Sequence, residues 1–173
     1  MNYKNIINLI GFYICWWLSI FGAVQGKYFL GPISLLMYII IHFSIINHHK
    51  KEYIYLIFCL FLGFLVDTIL LKINFIVYSG YLSENYRIAP LWVVTLWISF
   101  GLSIFHSFQL LQKNYKSTML LGTLSGPVIY YSCMKAKIIS FEFSLVISLI
   151  CISIIWSVIL PLYVYIADML IGE

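Results

Sequence analysis

The stretch that decides the fold is Phe143–Tyr165, FSLVISLICISIIWSVILPLYVY, in which 23 consecutive residues carry no charge. Its apolar residues fall on every face of a helix. They show neither the alternation of a half-buried strand nor the one-sided stripe of a soluble helix. About 20 such residues span a bilayer core, so the segment reads as a membrane-crossing helix. A transmembrane β-barrel would instead need segments of about ten residues with polar inward faces. Ile6–Val24, IINLIGFYICWWLSIFGAV, has the same character near the start of the chain.

Outward from these two runs, four more stretches are long enough to cross: Phe29–Ile46, Tyr53–Leu71, Ala89–Leu111 and Thr118–Met134. The expected architecture is therefore all-α, a polytopic transmembrane helical bundle of about six spans forming one integral membrane domain. Of the 173 residues, 63% are hydrophobic and 9% charged, and the mean hydropathy is +1.00. A soluble domain would be about half apolar and a quarter charged, so lipid must solvate most of this surface. Lys4 precedes a run that is long for a signal peptide and lacks an A-x-A site, which makes it an uncleaved first span. Gly122, Gly126 and Pro127 give the fifth span the composition of a kinked or closely packed helix.

The charges collect between the spans, at Gln25–Lys27, Asn47–Glu52 and Gln112–Lys116. Ten basic residues scattered in this way set topology and touch anionic headgroups. The expected partners are membrane lipids and a second membrane protein, with no nucleic acid. A cytoplasmic N-terminus puts five basic residues on each side. The tight clusters Lys50–Lys51 and Lys113–Lys116 favour that orientation. The longest joint, Ile73–Ile88, mixes Phe75, Tyr78, Tyr81 and Tyr86 with Glu84 and Arg87, as a segment lying along the headgroups would. Cys15, Cys59, Cys133 and Cys151 form no CxxC pair and read as packed thiols. Gly31-Pro32 and Gly126-Pro127 occupy corresponding places in two three-span halves, with little other similarity to support a repeat.

At about 1.5 Å of rise per residue, each polar residue can be given a depth. The face bearing the second and fourth joints is here the near side. Asp67 lies about 21 Å from it, towards the far side. Asp67, Arg87, Trp92, Trp97 and Tyr130 can then converge on a far-side ligand-binding pocket, with Gln25 close by. A carboxylate within a span usually faces a partner or a cavity. Two readings stand: a binding or proton-handling site, or a structural Asp67 paired with Arg87 or capping a helix break. His42, Ser103 and His106 form a second polar cluster near the opposite face. Two histidines with no carboxylate or cysteine nearby make a poor metal site, and His48 and His49 belong to a solvated joint. No metal and no cofactor is therefore expected, and the histidines are read as bonding between helices. GxSxG, HExxH, a Gly-rich phosphate loop and histidine boxes are all missing. Asp67 and His106 stand too far apart in depth to form a catalytic dyad.

The succession Gly63-Phe-Leu-Val-Asp67, Ala89-Pro90-Leu91-Trp92, Leu96-Trp97-Ile98-Ser99-Phe100, His106-Ser107 and Gly126-Pro127-Val-Ile-Tyr130 resembles a family of small bacterial inner-membrane proteins of unknown function. The resemblance covers nearly the whole chain and implies a multi-pass protein of the bacterial inner (cytoplasmic) membrane. This chain departs from the family pattern after Tyr130, where Ser132 and Lys135 replace a glycine-rich stretch. The resemblance brings no activity. A binding or transport component for a small ligand or lipid, with its pocket around Asp67, ranks first. Its alternatives are a non-catalytic partner subunit and a membrane enzyme of lipid metabolism using Asp67 or His106 as acid–base.

Overall fold

The computed structural model describes residues 3–45, 50–80, 87–107, 111 and 113–171. Among them it forms an all-α bundle of six helices: α1 (Tyr3–Val24), α2 (Leu30–Ile45), α3 (Glu52–Lys72), α4 (Leu91–His106), α5 (Tyr115–Lys135) and α6 (Leu145–Ile171). Two short strands, β1 (Ile76–Tyr78) and β2 (Ile139–Phe141), accompany them. Three helices are long and apolar enough to cross a membrane, those over Tyr3–Val24, Glu52–Lys72 and Leu145–Leu170. The helices α2 and α4 are apolar but shorter, with 16 residues each. Helix α5 has 21 residues but is diluted by Ser117, Thr118, Gly122, Thr123, Ser125 and Gly126.

The distribution of polarity is inverted relative to a soluble protein. Ile10, Ile14, Trp17 and Phe21 of α1, Ile54, Ile57, Phe61 and Leu65 of α3, and Ile147, Ile150, Ile154 and Val158 of α6 point outward. Asn8, Ser19, His42, Glu52, Asp67, Ser99 and Ser103 are buried. Water would reject such outward faces, whereas hydrocarbon accepts them and drives polar groups inward.

Helix α4 is the centre of the bundle. It packs against α1, α2, α3 and α6, and 12 of its 16 residues are buried. Small residues permit the close approaches. A Cβ on Gly63 of α3 would overlap the Trp97 side chain of α4, and one on Gly101 of α4 would overlap the Cys59 sulfur of α3. Against α6, Gly122 of α5 lies on the Trp156 backbone carbonyl and Gly126 on the Trp156 side chain. Helix α5 continues through Pro127 to Lys135, so close packing holds in its middle although Ser132 and Lys135 follow. Cys15, Cys59, Cys133 and Cys151 are free thiols, the first three buried.

Helices α1, α3 and α5 end in the same way. In each, a residue in the left-handed region follows the last turn: Gly26 (φ 72°), Asn74 (φ 55°) and Lys137 (φ 60°). The next amide then reaches back five residues, Lys27 N to Gly22 O, Phe75 N to Leu70 O, and Ile138 N to Cys133 O. This is the Schellman arrangement, which satisfies carbonyls that a helix end leaves open. After α3 and α5 the chain runs directly into β1 and β2. These pair antiparallel, with Ile76 opposite Phe141 and Tyr78 opposite Ile139. The ribbon requires both joints to lie at one end of the bundle, and the Tyr28 ring before α2 packs on Gly80 in the same layer. The third joint is therefore a strand and turn over 73–80. Its Tyr81, Glu84 and Tyr86, like His48 and His49, lie outside the described residues. The matching units are α3–β1 and α5–β2. Pro32 sits in the first turn of α2, whereas Pro127 is internal to α5, so the two Gly-Pro pairs mark no repeat.

Candidate functional site

Asp67, on the last turns of α3, is fully buried at the ribbon end of the bundle. One carboxylate oxygen accepts from the Tyr78 hydroxyl at 2.6 Å and from Tyr130 at 3.2 Å. The other accepts from Trp97 Nε1 at 2.5 Å. The three donors come from β1, α5 and α4, so this one side chain ties four elements together. Burial, and next the adjacent carboxylate, push the Tyr78 phenol well above its ordinary range, which keeps it protonated and donating. Hydrogen bonds to an ionised group are among the stronger ones.

These three donors also form part of a cavity wall. A cavity of about 420 Å³ runs along α4, with Trp92, Val93, Leu96, Trp97 and Phe100 as its floor. Phe12, Tyr13 and Trp16 of α1 line one side, and Leu121, Ser125, Ile129, Tyr130 and Cys133 of α5 the other, with Trp156 and Leu160 of α6. Tyr78 and Ile139 close the ribbon end. The volume falls in the range of about 300–1,000 Å³ usual for small-molecule sites. Asp67 stands behind this wall and is not part of the lining. Trp156 is stacked on Trp97, with centroids 5.3 Å apart. Its Nε1 is buried on the side of Tyr130 and does not face the cavity.

A second polar cluster sits at the other end. His42 Nε2 of α2 lies 2.9 Å from Glu52 Oε2, and His106 Nε2 of α4 lies 3.0 Å from the same oxygen. Glu52 begins α3 and is 1% exposed, and His42 is fully buried. Asn8 of α1 holds the other His42 nitrogen, with Nδ2 at 3.1 Å from Nδ1, and it also donates to the Tyr38 hydroxyl at 2.8 Å. Ser107 donates to Asn8 Oδ1 and to the Asn5 carbonyl.

Of the residues expected around Asp67, the structure brings Trp97 and Tyr130 to it. Trp92 instead donates to the Ser79 carbonyl at 2.9 Å while still lining the cavity. Arg87 is exposed and donates to Asn74 Oδ1, so an Asp67–Arg87 pair is not formed. Gln25 is exposed at the end of α1. Ser103 donates to the Phe100 carbonyl within α4. Two partners escaped sequence reasoning. Tyr78 arrives on a strand, and Glu52 was taken for part of a solvated basic joint. Glu52 supplies the carboxylate whose absence was the ground for expecting no metal beside His42 and His106. Asn8 carried a signal, as an amide inside an otherwise apolar run.

A protein-family model described as a protein of unknown function (DUF2878) matches residues 5–162, and the chain belongs to that family. No curated protein matches it, and no solved structure does.

Proposed function

We propose, since membership of this family supplies no activity, that the protein binds an elongated apolar molecule, such as a fatty acyl chain, within the membrane. In this reading all six helices cross the bilayer. The 16-residue helices α2 and α4 reach about 24 Å, short of a hydrocarbon core of about 30 Å. The buried position of α4 and the ribbon layer make up the difference, with some local thinning. The cavity is the observation that carries the proposal. Its walls are almost wholly aromatic and aliphatic, which suits an apolar occupant. Asp67 serves as a positioning residue, locking Tyr78, Trp97 and Tyr130 into the wall.

Tryptophan quenching by a brominated acyl chain tests this. Trp16, Trp92, Trp97 and Trp156 line the cavity, and Trp17 faces outward. Dibromostearate added to the detergent-solubilised protein should quench saturably, beyond the linear loss shown by Trp17-type exposed indoles. Leu96→Trp combined with Ile129→Trp should fill the cavity and remove saturation. Quenching that is linear in the wild type, or unchanged in the double variant, would sink the proposal.

A further inference from the structure

We infer that His42, Glu52 and His106 form a mononuclear site for a divalent first-row transition cation at the end of the bundle opposite Asp67. The donor set is two imidazoles and one carboxylate, the combination that holds catalytic zinc and non-haem iron while leaving coordination positions open. Their ligand atoms all lie within 4.8 Å of one another. Both histidines present Nε2 to the same carboxylate oxygen, at 2.9 and 3.0 Å. A tetrahedral ion with bonds of about 2.0–2.1 Å needs its ligand atoms about 3.4 Å apart. The two histidine–glutamate pairs would have to open by about 0.4–0.5 Å, with the two imidazole nitrogens set at the same spacing, to admit it.

Three further observations support a cation. Glu52 is 1% exposed, and a carboxylate so buried is tolerated where a cation or hydrogen bonds compensate it. His42 is fixed from behind by Asn8, itself held by Ser107 and Tyr38; with Nε2 on an ion, the Asn8 amide would turn so that Oδ1 accepts from Nδ1–H, as outer partners of metal-bound histidines do. The His106 side chain is 12% exposed, which gives an ion a route in. The three ligands come from the end of α2, the start of α3 and the end of α4, so a bound ion would pin three helix termini together.

The full chain, purified from cells on a tag without histidines and stripped with chelator, should take up one Zn²⁺ per chain. With Co²⁺ it should give the visible absorption of a low-coordinate nitrogen- and oxygen-bound ion. His106→Gln and Glu52→Gln should weaken Zn²⁺ binding more than about 100-fold, beyond the range of about 10–100-fold for an outer partner, where Asn8→Ala should fall. Where a variant does not fold, the wild-type Co²⁺ spectrum decides. Wild-type protein that takes up no metal, or binds it no better than folded His106→Gln, would overturn the site and leave a proton between histidine and glutamate as its occupant.

Discussion

Gly63→Ala perturbs the contact on which the Asp67 cluster depends. The added methyl would lie on the Cβ and ring of Trp97. The ring cannot withdraw freely, because it is stacked on Trp156 at 5.3 Å and bonded to Asp67 at 2.5 Å. Overpacking a close contact costs about 1–3 kcal/mol. If Trp97 yields instead, the lost hydrogen bond to a buried carboxylate costs about 1.5–3 kcal/mol. A ring that moves only partway incurs part of each cost, roughly 2–4 kcal/mol in all. For a chain of this size each kcal/mol shifts Tm by about 2–4 °C, so a fall on the order of 10 °C is expected. Thermal unfolding in detergent, followed by tryptophan emission, measures it. Leu124→Ala, on a face that is 60% exposed, should change stability by less than about 0.5 kcal/mol and serves as the control. If Gly63→Ala melts with its control and keeps the wild-type emission, Trp97 is not seated between Gly63 and Asp67, and the reasoning fails.

Asp67→Asn should destabilise by about 1.5–3 kcal/mol, because only its Oδ1 can serve the Trp97 N–H, and the Tyr78 and Tyr130 hydroxyls then face Nδ2 and lose a charged acceptor; a Tm equal to wild type would mean the carboxylate is not what holds the three donors. Gly122→Ala should be harsher than Gly126→Ala, since its methyl meets the Trp156 backbone rather than a side chain, and chemical denaturation of both would show the order reversed if α5 and α6 do not approach there. A reporter fused after Lys50 should lie on the same side as one after Lys113 and opposite one after Lys27; any other pattern contradicts six crossings.

The bundle was legible because its long runs, such as Phe143–Tyr165, have no polar face and admit one solvent. Depth counting along those helices put Asp67, Trp97 and Tyr130 towards one end and the two histidines towards the other; the structure has Trp97 and Tyr130 donating to Asp67. Joints were less readable. The strands are three residues each, and their aromatic, polar mixture looks like an interfacial segment until the partner strand from another joint is known. Tyr78 reaches Asp67 only through that pairing. Arg87 was expected at Asp67, but the left-handed turn at Asn74 presents a nearer acceptor outside the core. Glu52 was hidden by its neighbours. Beside Lys50 and Lys51 it looks solvated, yet it is the first residue of α3, and the helix turns it inward between two histidines.

The account rests most on the cavity along α4 being a binding site within the membrane. A density map of the wild-type protein in lipid nanodiscs tests this most directly. It should show elongated density between α1 and α5, lying on Leu96 and Phe100. A cavity closed by its own side chains, or one left without density, would contradict it.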